Sequence, residues 1–344
     1  MDNGSQHYVI IGTGPAGDEA AWHLRQRDPD GEITMITAGR LLYIRRYHLH
    51  RIFAGLTDWR ELLVHSPEYF DDNKINVRRN TFVASVDPER KVLGLRHREE
   101  LRYDKLLVAA GGGGYIPEGL REHRRLIHGF GDYEGAVRLE QELPNGGRVL
   151  MLGGDMMGIE LARHLVQAGY EVTIVASEQL FWPHEIDVSE RPRYVDALER
   201  MNIEVLQGKK VTHIEAGARG LAARRLLFDD DEELHGDAVL AFCGLMPSLD
   251  FVSKAGLHIE RGLLVSPQLA TINDCIWAAG DVCQIWSPEQ NRYRCSYEWK
   301  NVKTMGRVAA VNMTGGDEAI EKFHESELAI TADGELNSPF WDYD

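Results

Sequence analysis

The chain is poor in cysteine and in basic charge, and it has no long apolar run. Its four cysteines, Cys243, Cys275, Cys283 and Cys295, include no Cys-x-x-Cys pair, so neither a zinc knuckle nor a dithiol redox motif is encoded. Isolated thiols of this kind are expected to be small buried hydrophobes. With 38 basic against 54 acidic residues the net charge is −16, a sign that argues against nucleic acid as a partner. No segment approaches the length of a membrane span, and the polar start Met1–His7 is not a secretory signal. The expectation is a soluble, cytoplasmic protein. The stretch from Asp317 to Asp344 carries nine acids and one lysine, about half of the net charge, and reads as an exposed or partner-bound tail. The 344 residues suggest two domains, and 43% hydrophobic residues are enough for real cores.

What the chain does have is glycine in a particular setting. Tyr8-Val9-Ile10-Ile11 runs into Gly12-x-Gly14-x-x-Gly17, and a helix-compatible stretch follows. Gly12 permits the tight turn out of a strand, Gly14 lets the backbone approach a pyrophosphate, and Gly17 lets the helix pack on the strand. The helix N-terminus then offers free N–H groups to the phosphates. A lone glycine pattern is often only a turn; here the strand, the helix and the near-terminal position agree. The next strand, Glu32–Thr37, ends in Thr37-Ala38-Gly39-Arg40, without the acid that binds a ribose in dinucleotide folds. The basic residues Arg40, Arg45, Arg46 and Arg51 follow, readable equally as a solvated loop or as a cleft wall facing phosphates.

Residues 59–72 read as helical, with short strands at Ile75–Arg79, Thr81–Val86 and Val92–Leu95. Tyr103–Gly111 is a buried strand running into the glycines Gly111–Gly114, which suit a crossing between domains. The opening unit then recurs about 140 residues on: strand Val149–Leu152, turn Gly153-Gly154-Asp155-Met156-Met157-Gly158, helix Ile159–Ala168, strand Glu171–Val175. This internal repeat implies two nucleotide sites, or two that once existed. The second is altered at two places. Asp155 replaces the middle glycine, where a carboxylate adds bulk and like charge beside a pyrophosphate. The following strand ends in Val175-Ala176-Ser177, again without a ribose acid. Further strands are expected at 203–206, 210–214, 224–228 and 237–242, with the acidic run Asp229–Glu233 as a hairpin tip. Cys275–Asp281 is a strand ending in Gly280-Asp281, and Trp299–Met313 is a last helix.

Five stretches in this order resemble the FAD-dependent pyridine-nucleotide oxidoreductases, in the branch of rubredoxin, ferredoxin and nitrite reductase flavin modules. They are Gly12–Gly17, Tyr103–Gly111, Gly153–Ala162, Gly244-Leu245-Met246-Pro247 and Ala278-Ala279-Gly280-Asp281-Val282. The resemblance implies an α/β fold of two Rossmann-like dinucleotide-binding domains, the second inserted into the first. The FAD domain is expected at 1–114 plus 244–314, the NAD(P)-binding-like domain at 115–243, and the acidic tail at 315–344. It places FAD against Gly12, Gly14, Pro15, Ala16, Gly17, Ala38, Arg45, Val83, Ala110, Gly111, Gly280, Asp281 and Trp299. Asp281 matches the residue that contacts the ribityl chain, Tyr43 and Arg45 match a Tyr-x-Arg stretch near the flavin, and Glu160 matches a glutamate near the nicotinamide. Trp299 opens a helix whose dipole would stabilise reduced flavin.

The departures narrow the chemistry. No cysteine precedes Cys243, which rules against the disulfide reductase, peroxidase and coenzyme A disulfide reductase reactions, since these need a thiol at the flavin. Only about 30 residues follow Gly315, too few for the family's C-terminal interface domain, so its usual homodimer is not expected. The implied function is a flavoprotein oxidoreductase moving electrons between NAD(P)H and an external acceptor, a small iron protein such as rubredoxin or ferredoxin, or a partner subunit. The alternative is an FAD-carrying electron-transfer subunit of a larger complex with a degenerate NAD(P) site. A non-redox scaffold is a third reading, which the intact Gly12–Gly17 turn and Gly280-Asp281 oppose.

Overall fold

The computed structural model describes residues 5–56, 58–178, 180–217, 224–324 and 327–338. The α-helices among them are α1 (Pro15–Arg27), α2 (Pro67–Asp72), α3 (Tyr133–Glu142), α4 (Met156–Gln167), α5 (Arg191–Arg200) and α6 (Trp299–Met313). Two compact units result, each assembled from separated segments. Unit 1 is Met1–Ile44, Leu63–Gly113 and Met246–Glu325; unit 2 is Arg45–Leu62, Gly114–Leu245 and Ser326–Asp344.

Unit 1 is built on a five-stranded sheet. Its order is Ile276–Ala278, Lys105–Val108, β1 (His7–Ile11), β2 (Glu32–Ile36) and β3 (Ile75–Arg78), and every pairing is parallel. Tyr8, Val9, Ile10 and Ile11 are all buried. That is the signature of a parallel strand covered on both faces, where an unbroken apolar run replaces alternation. The small residues Ala16, Ala20 and Ala21 of α1 are buried as well. Helix α6 approaches α1 so closely that a Cβ on Gly306 would stand 2.3 Å from the Ala16 carbonyl oxygen. An antiparallel sheet of Val83–Asp87, Val92–Leu95 and Glu100–Arg102 lies in the same unit. The stretch read as one helix over 59–72 is two elements, a 3₁₀ turn at Trp59–Leu62 and α2. Pro67 is the cause: it opens α2 at its first turn and holds Ser66 extended (φ −68°, ψ 158°).

Unit 2 repeats the scheme. Its parallel sheet runs Ile203–Leu206, Glu171–Ala176, Arg148–Gly153, Ala238–Phe242. Arg148–Gly153 thus has the place here that β1 has in unit 1. A three-stranded antiparallel sheet of Val211–Ala216, Arg224–Phe228 and Glu233–Gly236 adjoins it in the chain, with acidic residues at the turn of its second hairpin. The basic segment after Tyr43 belongs to this unit because the 3₁₀ helix Arg46–Ala54 packs on α3 and α4, burying Leu49 and Ile52. Part of the acidic C-terminal stretch is also structured: Ala329–Ile330 pairs with Leu336–Asn337, and Leu328 and Leu336 are buried in the unit's core. Apolar residues spaced among the acids anchor it, a pattern that net charge alone does not reveal.

Candidate functional site

Parallel strands end on one edge of their sheet, so the loops that leave them converge there. In unit 1 that edge gathers Gly12–Gly17 after β1, Ala38 beyond β2, Ala109-Ala110-Gly111 after Lys105–Val108, and Gly280-Asp281 after Ile276–Ala278. Gly12 sits at φ +115°, and a Cβ there would lie 2.1 Å from the Ala109 carbonyl oxygen. A Cβ on Gly17 would lie 2.2 Å from the Gly12 carbonyl oxygen. Both positions therefore require glycine for the turn itself. Gly14 differs: it is the N-cap of α1 at φ −77°, with no side chain capping the helix, and a Cβ there meets nothing within 4 Å. Pro15 follows in the first turn, where its missing N–H costs nothing. The N–H groups of the first turn are thus presented to open space across Gly14, the cradle a diphosphate needs. The residues fit the flavin dinucleotide that the motifs imply.

The remaining residues assigned to FAD from sequence fall as follows. Ala110 and Ala38 are exposed at the sheet edge, Gly111 is at φ +67°, and Val83 is buried at the start of Val83–Asp87. Trp299 opens α6, and its ring stacks on Tyr43 with centroids 6.2 Å apart. Gly280 (φ +82°) donates its N–H to Met305 Sδ of α6 at 3.1 Å, tying the Asp281 loop to that helix. Arg45 lies in unit 2, at the N-cap of the Arg46–Ala54 helix, where its N–H donates to the Leu62 carbonyl at 2.7 Å. One pair that the sequence did not suggest stands beside the glycine turn: buried Asp18 of α1 is 2.9 Å from His65 Nε2, and the His65 ring stacks on Tyr69 at 3.8 Å. Nothing in the spacing of Asp18 and His65 signals it. Asp281→Ala is expected to lower flavin content after gel filtration; wild-type occupancy in that variant refutes the ribityl assignment.

Unit 2 shows the same turn with its ligand position changed. Gly153 and Gly154 take φ +104° and +96°, but Asp155 is the N-cap of α4 and is only 3% exposed. One carboxylate oxygen accepts from Gly158 N–H and the other from Gly244 N–H, each at 2.9 Å. Burial pushes its pKa up, against the pull of the Gly158, Gly244 and Met157 N–H donors. The sequence suggested a carboxylate aimed at a phosphate. In the fold it turns inward instead, and it uses a helix N–H that a phosphate would otherwise take.

One turn further along α4, Glu160 is buried and clamped. Arg163 reaches both of its oxygens at 3.0 Å, and His164 donates from Nε2 at 2.9 Å. Burial alone raises the carboxyl pKa, but the His164 hydrogen bond and the Arg163 charge outweigh it and hold the group below its usual value. His50 stacks flat on His164, centroids 3.5 Å apart and planes 2° apart, and donates from Nδ1 to the Tyr47 carbonyl at 2.8 Å. Burial and the neighbouring His164 push the His50 pKa down to about 4, so its ring is neutral at pH 7. The partners at i+3 and i+4 were readable from helix spacing; His50 was not. The donor atoms of His50, Glu160 and His164 lie within 4.8 Å of one another, yet they suit no single cation. Parallel rings cannot both aim an in-plane lone pair at one point, and Arg163 already holds both oxygens.

Burial keeps three of the four thiols protonated. Burial pushes the Cys243 thiol up to about 12, with the Asp155 charge adding to it, and burial raises Cys283 and Cys295 as well. Among the described residues no helix is long and apolar enough to cross a membrane.

The family model for pyridine nucleotide-disulphide oxidoreductases matches residues 6–310. An NADH-rubredoxin oxidoreductase of Clostridium acetobutylicum is 25% identical over 325 residues, covering 94% of this chain and 79% of that protein. The ferredoxin–NAD(+) reductase component of an anthranilate 1,2-dioxygenase system from Burkholderia cepacia is 29% identical over 321 residues, covering 91% and 76%. Putidaredoxin reductase, in its covalent complex with putidaredoxin, superposes with a TM-score of 0.84 at 22% identity, covering 95% of this chain and 79% of that one; at that identity it speaks for the fold. The chain belongs to the pyridine nucleotide-disulphide oxidoreductase family.

Proposed function

We propose that this chain passes electrons from NAD(P)H, by way of FAD, to a small iron protein of the rubredoxin or ferredoxin type, within the cytoplasm. The observation that carries the reading is the uncapped N-terminus of α1 with open space at Gly14, a diphosphate cradle on the loop-bearing edge of the unit 1 sheet. When bound, FAD supplies the exchange between two-electron and one-electron steps that no side chain here can perform. The chain's own part is to hold and tune. The α1 N–H groups take the diphosphate, Asp281 takes a sugar hydroxyl, and Arg163 and His164 keep Glu160 anionic and fixed for a ligand's polar edge. Proteins of similar sequence are named for rubredoxin and ferredoxin as partners. The four unpaired thiols suit a reducing compartment.

Asp155 favours a second reading, in which the flavin is retained but electrons come from a docked protein, since the α4 N-terminus is already capped by a carboxylate. An anaerobic titration of the purified flavoprotein with NADH and NADPH separates the two. Bleaching of the visible flavin bands near one equivalent is the expected result. A flavin that dithionite reduces but neither nucleotide touches refutes it in favour of the subunit reading.

A further inference from the structure

A cluster away from Glu160 has no part in the chemistry above. The 3₁₀ helix Glu118–Leu126 packs against the strand Val211–Ala216 in unit 2. Leu120 and Ile214 are buried in one core cluster and anchor the two elements. One 3₁₀ turn beyond Leu120, on the same face, stands His123. Its Nε2 is a buried atom with no hydrogen-bond partner, a costly state for an imidazole nitrogen. The nearest carboxylate oxygen, Oε1 of Glu122, is 3.5 Å away, beyond ordinary hydrogen-bond length. The exposed His213 brings a second imidazole, its ring centroid 5.3 Å from that of His123 and tilted by 59°.

We propose that His123, His213 and Glu122 form a site for one zinc ion. Their donor atoms lie within 4.8 Å of one another, and donors on one tetrahedral zinc, each about 2.0–2.1 Å from it, stand roughly 3.4 Å apart. The Glu122–His123 separation already has that value, and rotation of the exposed His213 closes the rest. The tilt matters: unlike the flat His50–His164 stack, inclined rings can direct both lone pairs at one point. Two imidazoles and one carboxylate are a borderline donor set that selects zinc over magnesium or calcium. Two of the donors are on the 3₁₀ helix and one on the strand, so the ion would clip the two elements together, with a fourth position left to water. The sequence neighbours Arg121, Arg124 and Arg125 oppose a dication. The Glu122 anion offsets part of that at a solvent-screened surface.

The test is calorimetric titration of Zn2+ into the tag-free, FAD-loaded protein after treatment with EDTA. One equivalent should bind, and His213→Ala should weaken it at least tenfold. His213 is exposed, so this variant keeps its fold; flavin content and circular dichroism check that. Zinc should also raise the melting temperature of the wild type and not that of His213→Ala. The absence of zinc uptake overturns the proposal. So does unchanged affinity in His213→Ala, or a loss seen in His164→Gln instead, which would assign the metal to the Glu160 cluster.

Discussion

Gly12→Ala is expected to abolish flavin binding by unfolding the turn, whereas Gly14→Ala should lower flavin affinity and leave the apoprotein as stable as wild type. The two glycines belong to one motif but stand in different surroundings. At Gly12 the backbone is at φ +115°, and the new Cβ would be 2.1 Å from the oxygen and 2.7 Å from the carbon of the Ala109 carbonyl. Both atoms are backbone in the neighbouring strand's exit, held by the Ala109 N–H bond to the Ile11 carbonyl at 2.8 Å, and cannot swing aside. Strain at an unfavourable φ together with overpacking should cost about 3 kcal/mol or more. At Gly14 the conformation is one any residue adopts (φ −77°, ψ −172°) and the space is empty. A methyl there strains nothing, but it stands where a diphosphate must approach the α1 N–H groups. Thermal melting of the apoproteins and flavin content after gel filtration measure the two effects separately. Equal stability loss in both variants would show that Gly14 is structural; equal flavin content in Gly14→Ala and wild type would place the diphosphate elsewhere.

This contrast also shows what the sequence could and could not convey. The pattern Gly12-x-Gly14-x-x-Gly17 after four apolar residues was legible because parallel strands buried on both faces, and the turns that leave them, leave strong local signatures. The repeat at Arg148 was legible for the same reason. The Rossmann-like sheets therefore follow from local pattern. Four things did not. The grouping of Arg45–Leu62 with unit 2 depends on Leu49 and Ile52 meeting α3 and α4, a long-range packing choice with no signal in a basic loop. The hairpin near the C-terminus hid behind acidic composition, since a few buried apolar residues decide structure where net charge does not. His50 against His164 and Asp18 against His65 are contacts between residues far apart in the chain, and periodicity speaks only for neighbours within an element. Asp155 was legible as a departure, but its direction was not. A side chain at an N-cap can reach outward to a ligand or back to its own helix, and only the fold shows that it does the latter.

Asp155→Gly is expected to tighten NADH binding by tenfold or more. In the wild type the carboxylate accepts from Gly158 N–H and Gly244 N–H, so the α4 N-terminus has lost a donor to its own side chain and gained a negative charge. A diphosphate placed there meets both deficits. Even at an effective dielectric of about 20, two unit charges 4 Å apart repel by roughly 4 kcal/mol, so recovery of a third of that is about 1.4 kcal/mol, a factor of ten in affinity. Removal of the cap costs about 1 kcal/mol of stability, which sets the sign of the trade: the variant should melt lower and bind nucleotide better. Asp155→Asn separates charge from shape. Its amide oxygen can still accept from Gly158 while the negative charge is gone, so it should recover part of the affinity with less loss of stability. The measurement is an equilibrium titration of each FAD-loaded variant with NAD+ or NADH under anaerobic conditions, beside a thermal melt. If both variants bind as the wild type does, repulsion by Asp155 is not what limits the second site. If both bind more tightly, in the order Gly above Asn, the chain holds its nicotinamide nucleotide against a carboxylate that stabilises the fold at the expense of the ligand.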